Sequence, residues 1–374
     1  MARETPLAPL HESAGAKMVT FAGWRLPLLF SSVAEEAAAT RTTAGLFDIS
    51  HMGIVRIFGP DAYAAARRIL TRDPAAIPIS CSAYGFICND GGGVVDDLFL
   101  MSETENAVRL VVNASNHPKD VAWIAARIPA GWRASLDDQL GRTFGLALQG
   151  PRAEGILKAA GFTGRLPTVF GAFVHAAIGQ ADLLVSRTGY TGEDGFEIFG
   201  AAGEGQAVWQ ALIAAGERSG LLPAGLAARD VLRQEMGYPL WGQDLDEQTT
   251  PIEAGLGWAV DWTGDFIGRS ALEHSKPARR RIGFRVEGRG VARRGDPILV
   301  AGNEIGLVTS GTFSHNLGAA IGQGYVDFVM TLEAGSRIQI SSRGRPLDAC
   351  VAAFPFVPKR TRESWAKLGR EGEL

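Results

Sequence analysis

The apolar and polar positions of the chain fall into short alternating runs and a few amphipathic stretches. Phe21 to Phe30 reads as an aromatic, proline-bearing loop. Ser32-Val-Ala-Glu35 is a capping box that opens an alanine-rich helix to about Ala44. Ile54 to Phe58 alternates as a strand does, and Pro60-Asp61 opens a helix to about Leu70. Ala83 to Cys88 and Val94 to Leu100 read as strands, with Asn89-Asp-Gly-Gly-Gly93 as the hairpin signal between them. Val108 to Asn113 predicts a buried strand. Ser115-Asn116 with Pro118 predicts a helix to about Arg127. Residues from about 52 to 138 therefore form one α+β block.

After Asp137-Asp138 the pattern restarts. Phe144 to Leu148, Asp182 to Arg187 and Phe196 to Phe199 read as strands. Gly150-Pro151 starts a helix, and two more follow at about 204–219 and 224–236. Beyond 276 the runs are short and separated by glycines, at 298–301, 305–309, 319–326 and 337–340. That is the texture of a small antiparallel β domain. The predicted class is α+β with a C-terminal antiparallel β domain, joined through a linker near 264–278.

Composition sharpens this picture. A chain of 374 residues holds two to three domains and can bury a sizeable core. Glycine supplies 47 positions, well above the usual share of about 7%, which suits a turn-rich fold. The 46% hydrophobic and 21% charged content excludes a disordered chain. A net charge of −3 argues against nucleic acid as the main partner. No apolar run is long enough to cross a bilayer, and the N-terminal stretch lacks a signal-peptide core. Cys81, Cys88 and Cys350 form no C-x-x-C and suit reduced thiols, so a cytoplasmic location is expected. The six histidines include no i, i+4 helical pair, so no metal is expected. Dinucleotide, P-loop, nucleophile-elbow and zincin motifs are all absent from the sequence.

Three segments could carry chemistry. In Gly91-Gly-Gly-Val-Val-Asp96-Asp97-Leu, two carboxylates sit in an apolar strand after a glycine turn. Strand alternation sends them to opposite faces, so at most one meets a given ligand. The plainer reading is an Asp that bonds turn amides while its neighbour meets water. In Thr188-Gly-Tyr190-Thr-Gly-Glu-Asp-Gly-Phe-Glu197, a tight loop delivers Glu197 between apolar neighbours. It is either a carboxylate for a planar heterocycle or an ordinary outward polar residue. In Gly225-Leu-Ala-Ala-Arg229-Asp-Val-Leu-Arg233-Gln-Glu235, the two arginines share a helix face. They either clamp carboxylates or join a network of pairs within the helix. Lys276, Arg279, Arg280, Arg281, Arg285, Arg289, Arg293 and Arg294 form a basic stretch. It reads as a solvated face or linker, or as a docking patch for an acidic partner.

Taken in order, further segments complete a pattern. They are Gly45-Leu-Phe-Asp-Ile-Ser-His-Met52, Gly92-Gly-Val-Val-Asp-Asp-Leu98, Val111-Val-Asn-Ala-Ser-Asn116, Thr188 to Gly195, Gly225 to Asp230, Thr309 to Ser314 and Pro355-Phe-Val-Pro358. From Thr5 to Pro358 this set resembles the T-proteins of the glycine cleavage system, the tetrahydrofolate-dependent aminomethyltransferases. The resemblance implies a three-domain cloverleaf around a central folate site. Its domains would be 1–51 plus 139–270, 52–138, and 276–374. It implies transfer of a methylene from the aminomethyl group on lipoylated H-protein to tetrahydrofolate, with release of ammonia. Tetrahydrofolate would be a cosubstrate, the lipoyl group would come with the H-protein, and no metal, nucleic acid or membrane would take part. The setting would be bacterial cytoplasm, or the mitochondrial matrix in a eukaryote. By the same resemblance Asp96 is the catalytic carboxylate, Glu197 holds the pterin edge and Arg229 belongs to the substrate site. Asn113, Tyr84 and Met52 line the folate pocket, and Tyr190 lies in a pocket-forming loop. A tetrahydrofolate-dependent demethylase of a small methylated compound is the rival enzyme. A folate-binding assembly factor is the non-enzymatic rival.

Overall fold

Period-two alternation gives most strands of this chain one apolar face, and each such face has to be covered. The computed structural model describes residues 2–368. Met1 and residues 369–374, the outer ends of the first and last expected domains, lie outside the described residues. Among the described residues the strands form four sheets, one of them closed into a barrel.

The largest sheet runs in the order Phe162–Thr163, Phe173–Ile178, Ala181–Ser186, Gly195–Ala201, Thr143–Gln149, Ala44–Asp48 and Leu221–Pro223. Its pairs are antiparallel except the last, which is parallel. On one face Phe144, Leu146, Leu148, Phe196 and Ile198 pack against helices Ala153–Ala159 and Gly205–Gly216. On the other face Phe47, Ala147 and Phe199 meet Ile54, Met101 and the Leu226–Glu235 helix. A second, five-stranded sheet runs Cys81–Cys88, Val94–Thr104, Ala107–Val112, Gly53–Phe58, Ser135–Asp138. Its apolar face is covered by helices Ala62–Ile69 and His117–Arg127. The barrel closes in the order Arg279–Val286, Ala319–Asp327, Asn303–Ser314, Pro297–Val300, Arg337–Ser342, Arg345–Ala352. Closure leaves it no open edge strand.

Several expectations are corrected. The loop expected over Phe21 to Phe30 is a hairpin, Lys17–Phe21 against Trp24–Leu29. Ala22 and Gly23 take positive φ, which matches the twist of a two-residue turn. Pro27 pairs with Met18 beside a register shift and lies beyond Trp24 and Arg25, the two residues that pair with Arg3–Glu4, so one side of the strand is unpaired there. The capping box is present, with Ser32 Oγ accepting from the Glu35 amide at 3.2 Å. Its helix stops at Thr42, and Ala44–Asp48 is a strand. Strands Leu221–Pro223, Arg279–Val286 and Arg345–Ala352 carry no signal recognised in the sequence. Residues 264–278, expected as a linker, are packed, with helix Arg269–His274 and buried Phe266 and Leu272.

Part of the basic stretch serves the fold. Arg280 donates to the carbonyls of Met330 (2.8 Å) and Leu332 (2.9 Å), and Arg281 to that of Gly237 (2.9 Å). Arg279 stacks over Tyr325 at 4.8 Å. Arg285, Arg289, Arg293 and Arg294 are exposed, as a solvated face would have them.

The Leu226–Glu235 helix joins these layers through buried charge. Arg233 bonds Asp230 (2.9 Å), Asp244 (2.6 Å) and the barrel hydroxyl of Ser310 (3.1 Å). Glu235 receives Arg41 (2.7 Å), Ser314 (2.6 Å) and Asn316 (2.9 Å). Arg41 also bonds Glu193 at 2.9 Å and the Thr191 carbonyl at 2.6 Å. Arg41→Met leaves two buried carboxylates short of a cation and is expected to cost about 3–5 kcal/mol. Urea denaturation measures it, and a loss below about 1 kcal/mol, the scale of an exposed pair, would contradict this role for the network.

Candidate active site

The hairpin Cys81–Cys88 to Val94–Thr104 sets the central geometry. Its turn is closed by the Asn89 amide on the Gly93 carbonyl (2.9 Å) and the Gly93 amide on Asn89 Oδ1 (3.0 Å). Cys88 pairs with Val94, yet Ile87 pairs with Asp96, so Val95 is an extra residue. Such a bulge slips the register by one and exchanges the faces of everything after it. The bulge is pinned from outside the sheet. Lys119 Nζ donates to the Val95 carbonyl at 2.8 Å, and Trp241 Nε1 to the Val94 carbonyl at 3.0 Å. The Val94 amide reaches the Thr249 carbonyl at 3.0 Å.

Its consequence falls on the two aspartates. Asp97 stands opposite Phe86, on the face of Tyr84 and Phe99. Tyr84 Oη donates to Asp97 Oδ2 at 2.8 Å, and Asn113 Nδ2 to Asp97 Oδ1 at 2.9 Å. Burial and the neighbouring Asp96 charge push the Asp97 carboxyl up to about 7, against the bonds from Tyr84 and Asn113. Asp96 turns the other way, into the sheet's apolar core, and is 0% exposed. Its Oδ2 accepts the Asn113 amide (3.0 Å), and its Oδ1 accepts Asn113 Nδ2 (2.9 Å) and Asn116 Nδ2 (2.5 Å). The resemblance gives the catalytic role to Asp96; of the pair it is Asp97 that stands half-buried on the Tyr84 face, while Asp96 is sealed.

A second wall comes from the seven-stranded sheet. Glu197 lies opposite Ala147 and Ser186, on the sheet face turned toward Met101 and Ile54. Thr188 Oγ1 donates to Glu197 Oε2 at 2.6 Å, and Oε1 has no partner among the described residues. Burial raises the Glu197 carboxyl, while the Thr188 bond and the Arg229 charge oppose the rise. Arg229 has no ion-pair partner among the described residues; it lies 4.8 Å over the Tyr190 ring. So the expected arginine clamp divides: Arg233 turns to Asp244 and the barrel, and Arg229 turns to the site. Tyr190 bonds the Pro239 carbonyl and stacks on Tyr238 at 5.8 Å. His51 is pushed down to about 4 by burial and the nearby Arg229 cation. Met52 packs on the cluster between the seven-stranded and five-stranded sheets.

The two walls meet in one apolar cluster, where Ile54, Met101 and Val111 of the five-stranded sheet pack on Phe47, Ala147 and Phe199 of the seven-stranded sheet. Tyr84, Asp97, Asn113, Tyr190, Glu197, Arg229 and Met52 are all half-buried, and Asp96 alone is sealed. Trp258, 63% exposed, stacks on Tyr84 at 5.9 Å, and Arg72 lies over the Trp258 ring at 5.9 Å. No motif marks Trp258 or Tyr238, and His51 lies within the Gly45–Met52 segment without being singled out. Asp120 has a faint signal: Asn116, Asp120 and Ile124 share one helical face by their spacing of four. A separate surface depression of 660 Å³, lined by Arg3, Trp24, His117 and Asp138, lies apart from this cluster.

Two large open sheets, a small one and a closed barrel, with a half-buried set of shifted carboxylates, tyrosines and an arginine, define an α+β protein of the enzyme type. Comparisons narrow the class. Residues 7–264 match the GCVT N-terminal domain, and residues 279–358 match the glycine cleavage T-protein C-terminal barrel domain. The chain is 43% identical over 364 residues to an aminomethyltransferase of Symbiobacterium thermophilum, covering 95% of this chain and 97% of that one. It is 40% identical over 367 residues to an aminomethyltransferase of Bacillus subtilis, covering 96% and 100%. The crystal structure of the glycine cleavage system aminomethyltransferase T from Bartonella henselae superposes with a TM-score of 0.90 at 36% identity, covering 97% and 100%. The chain belongs to the glycine cleavage T-protein family.

The turn that carries the aspartates is tightly fitted. A β-carbon on Gly93 would lie 1.8 Å from the Glu247 carbonyl oxygen, whereas one on Gly91 meets only the Asn89 side chain, at 3.3 Å. Gly93→Ala is expected to lower Tm by several degrees, about 1–3 kcal/mol of overpacking, and Gly91→Ala to change it little. Equal melting curves for the two variants would contradict the fit.

Proposed function

We propose that the half-buried cluster binds tetrahydrofolate and receives on it the methylene of an aminomethyl group carried by the lipoyl arm of an H-protein. The chain is an aminomethyltransferase of the glycine cleavage system, matched by proteins of that name over nearly its whole length. Ammonia and 5,10-methylenetetrahydrofolate are then the products. Each of the three larger sheets is the centre of one domain, with boundaries near residues 51, 138 and 270–276. Relatives of this length come from bacteria, and no helix among the described residues is long and apolar enough to cross a membrane. A cytoplasmic setting is proposed on the bacterial relatives.

The observation that carries the reading is the pairing of two differently poised carboxylates across one opening. Glu197 offers Oε1 while Thr188 holds Oε2. A pterin edge presents adjacent N–H donors, and a carboxylate that accepts two of them fixes the ring's plane and direction. Bound folate supplies the amines that take up the one-carbon unit. Asp97 stands on the facing wall, held at both oxygens by Tyr84 and Asn113. Ionised, it balances the positive charge that develops on the transferred carbon and its amine. With a carboxyl pushed up to about 7, it also accepts a proton near neutral pH. These are the tasks the sequence resemblance assigned to Asp96. Asp96, sealed behind, supplies the charge that raises Asp97. Arg229 suits a negative group at the substrate end, being a cation left without a carboxylate partner among the described residues. His51, driven neutral, adds no second positive charge beside it.

Asp97→Asn is expected to lower the rate of ammonia and methylenetetrahydrofolate release from aminomethylated H-protein by about 10²–10⁴-fold, with folate affinity kept. Glu197→Gln should instead weaken folate binding by roughly ten- to a hundredfold. Turnover at the wild-type rate in Asp97→Asn would remove Asp97 from this role. Methyl transfer from a small donor, with none from the H-protein, would favour the demethylase reading.

The pH profile carries a sign. Asp97 works ionised, so kcat/KM should be half-maximal near pH 7, full about one unit above it, and fall further as pH drops through the raised value. A profile flat through neutral pH and falling only in the ordinary carboxylate range, near 4, would contradict it.

A further inference from the structure

Behind the catalytic face lies a second acidic pair that the reaction does not touch. Asp120 sits on the His117–Arg127 helix, one turn beyond Asn116, and is 0% exposed. Neither of its carboxyl oxygens receives a donor among the described residues. It lies within hydrogen-bond reach of Asp96, which is also 0% exposed. Asn116 caps that helix yet gives its side chain to Asp96 at 2.5 Å.

Two sealed carboxyl groups in contact cannot both be charged without a cation between them. The nearest cation on the helix is Lys119, and its ammonium is directed elsewhere, to the Val95 carbonyl at 2.8 Å and to Glu247 at 2.7 Å. Asp96 receives three N–H bonds and Asp120 receives none, so the proton belongs on Asp120. A protonated Asp120 then has one O–H to give, and Asp96 is the acceptor within its reach among the described residues.

We propose that Asp120 is a positioning residue for the transfer, a permanently protonated acid that donates to Asp96 and so keeps the Asp96 charge and the Asn113 amide in place behind Asp97. The proposal rests on the reading of Asp97 given above. Burial and the Asp96 charge push Asp120 up to about 11, in keeping with a neutral acid through the working range. The chain of contacts is continuous. Asp120 gives its proton to Asp96, Asp96 Oδ1 accepts Asn113 Nδ2, and the same amide reaches Asp97 Oδ1 at 2.9 Å. The charged and titratable groups around Asp97 are Asp96 from its own strand, Tyr84 from the next strand, and Tyr190 from the facing wall. Of these only Asp96 is held by Asp120.

Two substitutions separate donation from packing. Asp120→Asn keeps a neutral donor of the same shape, so the acid limb of kcat/KM should stay where the wild type has it. Asp120→Leu fills the volume without a donor. Asp96, no longer held by that bond, takes up a proton, Asp97 loses its like-charged neighbour, and the acid limb should move to lower pH by about one unit. An Asn variant whose limb moves as far as that of the Leu variant would overturn the proposal. A readout independent of turnover is the infrared carboxyl stretch of the whole protein at about pH 9, where ordinary carboxyls are ionised. A protonated-carboxyl band is expected in the wild type and should vanish in Asp120→Asn. Its absence from the wild type overturns the proposal even if Asp120→Leu fails to fold. A wild type without aminomethyl transfer, but with that band lost in Asp120→Asn, would sink the functional reading and leave the buried proton standing.

Discussion

A charge taken out of water has to be paired, and in this chain that requirement is concentrated on one helix. Leu226–Glu235 carries Arg233 and Glu235, both sealed, and each finds its partners in other parts of the fold. Arg41 comes from the Val33–Thr42 helix and bridges to Glu193 in the loop that precedes the Glu197 strand. Asp244 precedes the barrel, while Ser310 and Ser314 belong to it. Removing any one partner strands the others without water, so the helix, the loop and the barrel have to keep one mutual arrangement. Arg229 lies on the same helix and is the charge left over. Its place above Tyr190, beside Glu197, is inherited from the pairs its neighbours make. Precise placement of this kind is what a group-transfer site needs, because reacting groups lose rate steeply with small displacements.

The second determinant is smaller, a single extra residue at Val95. Without it, counting back from the Asn89–Gly93 turn would pair Phe86 with Asp96 and put that carboxylate on the face of Tyr84. With it, Asp97 takes that face and Asp96 is driven into the core. Burial of Asp96 is costly, and three N–H donors from Asn113 and Asn116 offset the cost. Burial and then that fixed negative charge next to it push the Asp97 carboxyl up to about 7. Stability and reactivity are coupled here, since the groups that satisfy the sealed carboxylate also hold the working one.

Legibility in the sequence followed the range of the forces involved. The hairpin at Asn89–Gly93, the cap at Ser32 and the strands around Ile54 and Phe144 depend on local spacing, and these were readable. Ala44–Asp48 was not, because it is buried on both faces and shows no alternation. Arg279–Val286 was hidden by its arginines, which lie along barrel strands and bond carbonyls that only the fold brings near. Tyr84, Asn113, Tyr190, Glu197 and Arg229 stand out in the sequence by type and order, and in the structure all are half-buried. Which aspartate joins them on the half-buried side is not readable. A bulge is specified by Lys119, Trp241 and Thr249, residues far along the chain from the pair they orient.

The central claim is that one planar ligand lies between the Glu197 wall and the Asp97 wall. A crystal structure of the protein with a stable tetrahydrofolate bound tests it most directly. The account requires the pterin edge on Glu197 and an Asp97 carboxylate oxygen within hydrogen-bond distance of the folate amines that carry the one-carbon unit, with Asp96 out of contact. A folate held in the Arg3–His117 depression, or in the central opening with Asp97 turned away from those amines, would contradict it.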